Sequence, residues 1–240
     1  MEDLRLYETL DSTNKESQRL LVSGQKLHGS AILALDQTEG RGQYGRSWFS
    51  EPGNHLAISI ILQLDYMLVE DLPLLSLKTS IAVVRSLSFF APELKPLIKW
   101  PNDIYVGNLK LAGILIENSI SSSKVQHSII GIGMNVNESA FPSDLPNPIS
   151  LFLLTDRKFE IIPLGEKLKK EMMKVLDEPI EKWKPEYDQL IYGLGNQKDF
   201  ELNGKNVIAT IIGVGTDGKL SLDIDGRSKS YFSHEIKWLK

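Results

Sequence analysis

Apolar residues in this chain come in runs of strand length, with one long stretch at helical spacing, and that pattern limits the fold to a sheet flanked by helices. Residues 30–35, 56–64 and 129–136 are near-continuous apolar segments. Their length suits buried strands better than core helices. Residues 70–90 place Leu74, Leu77, Ile81, Val84 and Leu87 at helical spacing and predict a long core helix. Residues 4–10 alternate well enough for a first strand. This strand runs into Asp11-Ser12-Thr13-Asn14, where Thr13 followed by Glu16 predicts a capping box and a short helix ending near Gly24. Residues 97–100 and 104–106 flank Pro101-Asn102-Asp103, and Gly107-Asn108 is a turn signal leading into a strand over 110–117. Residues 139–150, rich in Pro, Ser and Asn, predict a loop. Residues 164–192 read as an amphipathic helix broken at Pro179 and Pro185.

After Gly193 and Gly195 the texture changes. Residues 200–202, 207–214, 219–224 and 229–233 read as short strands, punctuated by Asn203-Gly204, Asp217-Gly218 and Asp225-Gly226. The expected division is a main domain over 1–195 and a small β-barrel-like domain over 196–240, too small to be very stable alone.

Composition narrows the function. The 240 residues are 42% hydrophobic and 24% charged, ordinary for a chain that buries a core. A net charge of −4 and a pI near 5.7 argue against a general nucleic-acid binder. There is no cysteine, which excludes disulfides, thiolate metal sites and cysteine nucleophiles. His28, His55, His127 and His234 show no metal-ligand spacing. The charged start Met1-Glu2-Asp3-Leu4-Arg5 has no apolar core of a secretory signal, and runs such as 56–62 are too short to span a bilayer. The expectation is a soluble, cytoplasmic protein without a membrane or nucleic-acid partner.

Residues 40–48 read Gly-Arg-Gly-Gln-Tyr-Gly-Arg-Ser-Trp. Glycines let a backbone approach a ligand closely, and successive N–H groups can form a concavity for anions. Arg41 and Arg46 add forked donors suited to phosphate or carboxylate. A flexible, solvated connector explains this stretch by itself nearly as well, so the rest of the chain must decide.

Four segments decide it. Lys99-Trp-Pro-Asn-Asp-Ile, Lys110-Leu-Ala-Gly-Ile-Leu-Ile-Glu and Gly131-Ile-Gly-Met-Asn-Val join the Gly/Arg loop in the order and spacing of biotin protein ligases. Asp11-Ser-Thr-Asn is similar to that family's biotin-side turn. Each motif alone is weak; together they identify the chain, from Tyr7 to the terminal β module, as resembling the short form without a DNA-binding domain. The resemblance implies an α+β fold: a central mixed, largely antiparallel sheet with flanking helices, class II synthetase-like, plus a C-terminal SH3-like barrel. It also implies a two-step reaction. Biotin's carboxylate attacks the α-phosphate of ATP, and a lysine of a biotin carboxyl carrier domain then attacks the resulting biotinyl-5′-AMP.

By the same resemblance Ser12, Thr13 and Gln37 would hydrogen-bond the biotin ureido head. Gly40 and Arg41 would follow its valeryl chain and carboxylate, and Lys110 would contact the carboxyl–phosphate junction. Trp48 would cover the adenine side, with Gly133 and Asn135 near the nucleotide. Asn14, Gly42, Arg46 and Gly113 complete the binding set, and Lys110, Arg41 and Asp103 are the catalytic positions. Asp103 would orient or deprotonate the acceptor lysine. Magnesium would share the charge with Arg41, Arg46 and Lys110, its ligands being unassigned, and a homodimer is a further possibility of the family. Each position has a plainer explanation: Ser12, Thr13 or Asn14 as a helix cap, Pro101-Asn102-Asp103 as a turn, the glycines as sheet packing. Family loops commonly carry a basic residue where this chain has Gln43. The start at the catalytic domain makes a repressor role unexpected. Lipoate–protein ligase and a non-catalytic biotin-binding protein are the alternatives.

Overall fold

The apolar runs pair with one another. In the computed structural model, which describes residues 4–239, seven strands form one sheet in the order β1-β2-β3-β7-β6-β5-β4. These are β1 (Leu4–Leu10), β2 (Ala31–Gln37), β3 (His55–Gln63), β4 (Pro96–Lys99), β5 (Asp103–Val106), β6 (Leu109–Ser121) and β7 (Lys124–Asn135). Only β1 and β2 pair in parallel, so the sheet is mixed and largely antiparallel as expected. Residues 1–3, whose charge argued against a secretory signal, lie outside the described residues.

The two faces of the sheet receive different helices. On one face lie α2 (Leu72–Phe90) and α4 (Ile161–Asp177), packed on each other and on the central strands. A side chain at Gly165 of α4 would meet Leu33 at 2.6 Å, so the helix backbone sits directly on the sheet. On the opposite face α1 (Thr13–Val22) meets Ser59 of β3, one residue out of phase with Ile58, which faces α4. Residues 69–90 are long and apolar enough to cross a bilayer by composition, a feature missed by counting only uninterrupted runs. They instead form the core helix, with Leu75, Leu77, Ile81, Val84 and Leu87 buried.

Local signals were overridden at two places. The Thr13–Glu16 capping box does not form. Ser12 is the N-cap without a capping hydrogen bond, Thr13 turns to Gln37, and Glu16 accepts from Tyr7 and Arg19. Pro179 does stop a helix, but Pro185 sits inside α5 (Ile180–Gln189). Pro185 and Glu181 lie on the exposed face, where the carbonyl freed by proline meets solvent, while buried Trp183 and Tyr187 hold the other face. A short α3 (Leu151–Thr155) follows the loop, started by Ser150, whose hydroxyl accepts from Leu153 N.

Beyond residue 195 five antiparallel strands form a second sheet, β11-β10-β9-β8-β12. They are β8 (Gln197–Leu202), β9 (Lys205–Val214), β10 (Leu220–Ile224), β11 (Arg227–Tyr231) and β12 (Ile236–Trp238), the last too short to read from sequence. Asn203-Gly204 and Asp225-Gly226 both have positive φ at each residue, the geometry of two-residue hairpins. Two tryptophans join this sheet to the first: Trp100 Nε1 donates to Gly218 O at 2.8 Å, and Trp238 Nε1 donates to Trp100 O at 2.9 Å.

One buried group sets a pH dependence. Glu138 is fully buried beyond the end of β7, accepts from Val136 N, and burial pushes its carboxyl up to about 7. From about pH 4.3, where the unfolded carboxyl ionises, to about pH 7, the folded chain keeps a proton that the unfolded chain has lost. Stability therefore falls as pH rises through that window and stays lowered above it. Glu138→Gln keeps the acceptor and removes the charge. It should raise Tm at pH 8 by several degrees, at about 2–4 °C per kcal/mol for a chain this long, and flatten the slope between pH 5 and 7. Thermal melts of both proteins across pH check this.

Candidate active site

Small residues line up across the sheet on the face opposite α4. The register aligns Ala34, Ala57, Gly133, Gly113, Asp103 and Lys99 on neighbouring strands from β2 to β4. Opposite residues of paired strands point to one face. The row is thus a floor without bulky side chains that ends in a carboxylate and an ammonium. The indole of Trp48 rests on this floor: a Cβ at Gly133 would lie 2.5 Å from its ring and one at Gly113 2.9 Å away.

The hairpin that carries Trp48 is the Gly/Arg segment. Trp48 N donates to Gly40 O, Gly42 N donates to Arg46 O, and a turn of 3-10 helix spans Gln43–Gly45. Gly40 is needed for closeness, since a Cβ there would meet Trp48 O at 2.7 Å. Under the hairpin lies a cavity of about 60 Å³, well below the roughly 300–1,000 Å³ of small-molecule sites. Trp48 takes up the room, and its buried Nε1 has no hydrogen-bond partner. An indole N–H buried this way favours either movement or an incoming acceptor.

One end of the cavity is polar. Gln37 Oε1 accepts from Thr13 N at 2.8 Å and from Thr13 Oγ1 at 3.2 Å, which leaves its amide N–H groups for other partners. Ser59 Oγ lies 2.7 Å from Thr13 Oγ1 and 2.6 Å from Asn14 Oδ1, and Asn14 Nδ2 donates to Glu117 at 2.7 Å. Gly131 makes this possible, because a Cβ there would sit 2.4 Å from Asn14 Oδ1. Ser12, free of capping duty, lines the same cavity.

The other end is charged. Lys110 Nζ pairs with Asp103 Oδ1 at 2.7 Å and lies 5.5 Å from the centre of the Trp48 ring. The Lys110 backbone is clamped by residues 147–149, through Lys110 N to Asn147 O at 2.7 Å and Ile149 N to Lys110 O at 3.0 Å. Arg41 reaches Glu117 at 3.3 Å, both partly exposed.

Of the residues picked from sequence, Ser12, Thr13, Asn14, Gln37, Arg41, Gly42, Trp48, Lys110, Gly113 and Gly133 line this cavity. Asp103 adjoins it through Lys110, and Gly40 shapes the hairpin. Two stand apart. Arg46 is exposed on the hairpin's outer arm. Asn135 is buried and donates to Ile149 O at 2.9 Å, tying down the segment that clamps Lys110. Ser59 and Glu117 were missed. A lone serine inside the apolar run 56–64 was the available signal for the first. Among the described residues no cluster of three or more acidic or histidine side chains could hold a metal. The carboxylates nearest the cavity, Asp103 and Glu117, are each ion-paired.

Residues 6–135 match the model of the biotin/lipoate A/B protein ligase family, and this span covers over half of the chain. The chain belongs to that family. It is 31% identical over 244 aligned residues to the bifunctional ligase/repressor BirA of Bacillus subtilis, covering 96% of this chain and 72% of that protein. It is 28% identical to the biotin–[acetyl-CoA-carboxylase] ligase of Mycobacterium tuberculosis over 90% of this chain and 82% of that one. The fold is similar to that of biotin protein ligase from Aquifex aeolicus solved with biotin and ATP. The TM-score is 0.81 at 25% identity, and 99% of this chain and 98% of that chain are covered. In this family member the cavity under the hairpin is filled by the chain's own tryptophan.

Gly133→Ala should expel that indole from the floor. Tryptophan emission should shift to the red and become more accessible to acrylamide, with no such change in a Trp48→Phe background. An unchanged spectrum would mean the ring does not rest on Gly133 in solution.

Proposed function

We propose that this chain is an ATP-dependent biotin protein ligase, which forms biotinyl-5′-AMP and pyrophosphate and then transfers biotin to a lysine of a carboxylase's biotin carboxyl carrier domain. The observation that carries the reading is the bare floor joining a polar pocket to the Lys110–Asp103 pair. Family membership and the named relatives support it.

The geometry suits the chemistry step by step. A cyclic urea needs donors and acceptors fixed inside an otherwise apolar pocket. Thr13, Gln37, Asn14 and Ser59 offer these in one buried network. The glycine floor lets an extended ligand lie flat once Trp48 turns away. Bringing a carboxylate to a polyphosphate requires cancelling like charge. Lys110 and Arg41 are the cations at the cavity, and each is held by a partner it can exchange for an anionic ligand. Released by Lys110, Asp103 can receive the acceptor lysine, accepting a hydrogen bond from its nitrogen and taking up its proton. Positioning and electrostatics supply the rate, with no covalent enzyme intermediate. Among the described residues no group of three or more acidic or histidine side chains offers a cage for a magnesium ion.

Biotin-dependent pyrophosphate release from ATP, followed by labelling of a purified biotin carboxyl carrier domain, tests the reading. Activity with lipoate in place of biotin would overturn it. Lys110→Ala should lower pyrophosphate release about 10²–10³-fold in a protein that still folds, because a partly exposed lysine adds little stability. Asp103→Asn should slow single-turnover transfer from preformed biotinyl-AMP more than adenylation. Equal slowing of both steps would remove Asp103 from the acceptor's side.

A further inference from the structure

Lys99 stands at the end of the floor in an aromatic cage. Its Nζ lies 4.7 Å from the ring centre of Tyr105, 4.9 Å from that of Trp238 and 5.6 Å from that of Tyr192, within the range where a cation is attracted to a ring face. The rings come from three segments. Tyr105 belongs to β5. Tyr192 is brought in by a backbone splice on β4, Ile98 N to Leu190 O and Tyr192 N to Ile98 O. Trp238 belongs to β12 of the second sheet and is fixed by its bond to Trp100 O. The cage closes only because the two sheets are joined.

The position of the cage matters because the register partner of Lys99 is Asp103. Asp103 therefore has two lysine neighbours of different kinds. Lys110 touches it, is partly exposed, and can swing to another anion. Lys99 is half-buried among rings and cannot follow. We propose that Lys99 is a positioning residue of the transfer step: caged by Tyr105, Tyr192 and Trp238, it stays as the fixed cation opposite Asp103 when Lys110 turns to the phosphate, and its charge disfavours the ammonium form of the incoming lysine. The inference rests on the ligase reading above.

The chemistry requires such an element. The acceptor attacks as a neutral amine: its nitrogen forms a bond to the acyl carbon of biotinyl-AMP, the bond from that carbon to the phosphate oxygen breaks, and the electron pair leaves with AMP. The nitrogen's proton passes to Asp103 and on to solvent. A free lysine with pKa near 10.4 is almost wholly protonated at neutral pH, and a lone carboxylate stabilises that unreactive form. A fixed cation beside the carboxylate offsets this. The other charged and titratable groups facing Lys99 are Lys110 on β6 and Lys198 on β8, also cations, and the phenols of Tyr192 and Tyr105. Burial pushes the Tyr105 phenol up to about 12, so it adds no negative charge at neutral pH. Burial also draws the Lys99 ammonium below its ordinary value, against the pull of Asp103.

The test uses the full chain, preformed biotinyl-AMP and two acceptors, a purified biotin carboxyl carrier domain and hydroxylamine, whose amine is already neutral at pH 7. For Lys99→Met the pH midpoint of transfer to the carrier should rise by about one unit, making transfer about tenfold slower at pH 7. Trapping by hydroxylamine and pyrophosphate release should stay near the wild-type rates, and the latter also reports a folded protein. Lys99→Arg keeps the charge and should keep the wild-type midpoint. An unshifted midpoint in Lys99→Met, an equal loss with hydroxylamine, or a Lys99→Arg midpoint shifted like that of Lys99→Met would each overturn the proposal. Should Lys99→Met fail to fold, Lys99→Gln takes its place, with the same rise in midpoint expected and an unshifted midpoint overturning the proposal. A wild-type chain that releases no pyrophosphate overturns the ligase reading itself, whereas an unshifted Lys99→Met beside an active wild type overturns only this inference.

Discussion

Close approach across a side-chain-free strip of sheet is the constraint on which the structure depends. Gly113 and Gly133 lie opposite each other on β6 and β7, and a methyl group on either would collide with the indole that rests there. Glycine inside a strand costs roughly 0.5–1 kcal/mol per residue relative to alanine, with no packing in return. The other face of the same strands offsets that loss. Ile58, Ile114, Ile132 and Met134 are buried there in the main core shared with α2 and α4. One face of the sheet thus holds the fold, which leaves the other free to be shaped for a ligand. The same division explains why Gly165 on α4 is needed: the supporting helix must come close for the core face to close.

The second sheet depends on the first through two indole N–H groups. About forty residues bury too little surface to be very stable alone. Here the deficit is met at a joint, where Trp100 and Trp238 exchange hydrogen bonds with backbone of the opposite sheet or its border. The ring of Trp238 continues into Phe200 at 4.8 Å and Tyr192 at 5.9 Å, so an aromatic cluster runs from the small sheet to the edge of the large one. The packing that stabilises the small sheet therefore ends beside the hairpin 99–103, which carries Lys99 and Asp103.

Sequence patterns resolved what is local and periodic. The runs that became β2, β3 and β7 were legible because a strand buried on both faces has no choice but to be apolar, and α2 was legible from its spacing. The capping box was misread because a local signal lost to tertiary partners: Gln37 and Ser59, distant in sequence, bond Thr13 better than Glu16 does. Pro185 misled for the opposite reason, since solvent at Glu181 makes a lost helix bond cheap. In the site, the motif residues could be named, but not the alignment that makes them one surface. Register is a property of pairs of strands. No inspection of residues 99–113 alone shows that Lys99, Asp103 and Gly113 share a transverse row. Asn135 shows the converse: a residue in a motif whose amide holds the backbone segment clamping Lys110 rather than lining the cavity.

The ion pairs of the site differ in how firmly they are held, and that difference orders the chemistry. Arg41–Glu117 is partly exposed on both sides, and pairs of that kind contribute only about 0–1 kcal/mol, whereas the Asp103 oxygen facing Lys110 is buried and that pair is held more firmly. Arg41 can therefore leave its carboxylate for a phosphate at little cost, while Lys110 would leave Asp103 only for a polyanion that offers more charge than the partner given up. The departure uncovers Asp103 only once an anionic ligand has engaged Lys110. On the proposed reading, a carboxylate able to receive an amine would be exposed at the stage when an activated acyl group is present, and would stay paired before it. Lys99 would obey the opposite logic: its contacts are three rings and the Tyr105 hydroxyl, at 3.4 Å, none of them an anion that another could displace. If the proposed reaction runs here, two exchangeable cations and one fixed cation would order its steps.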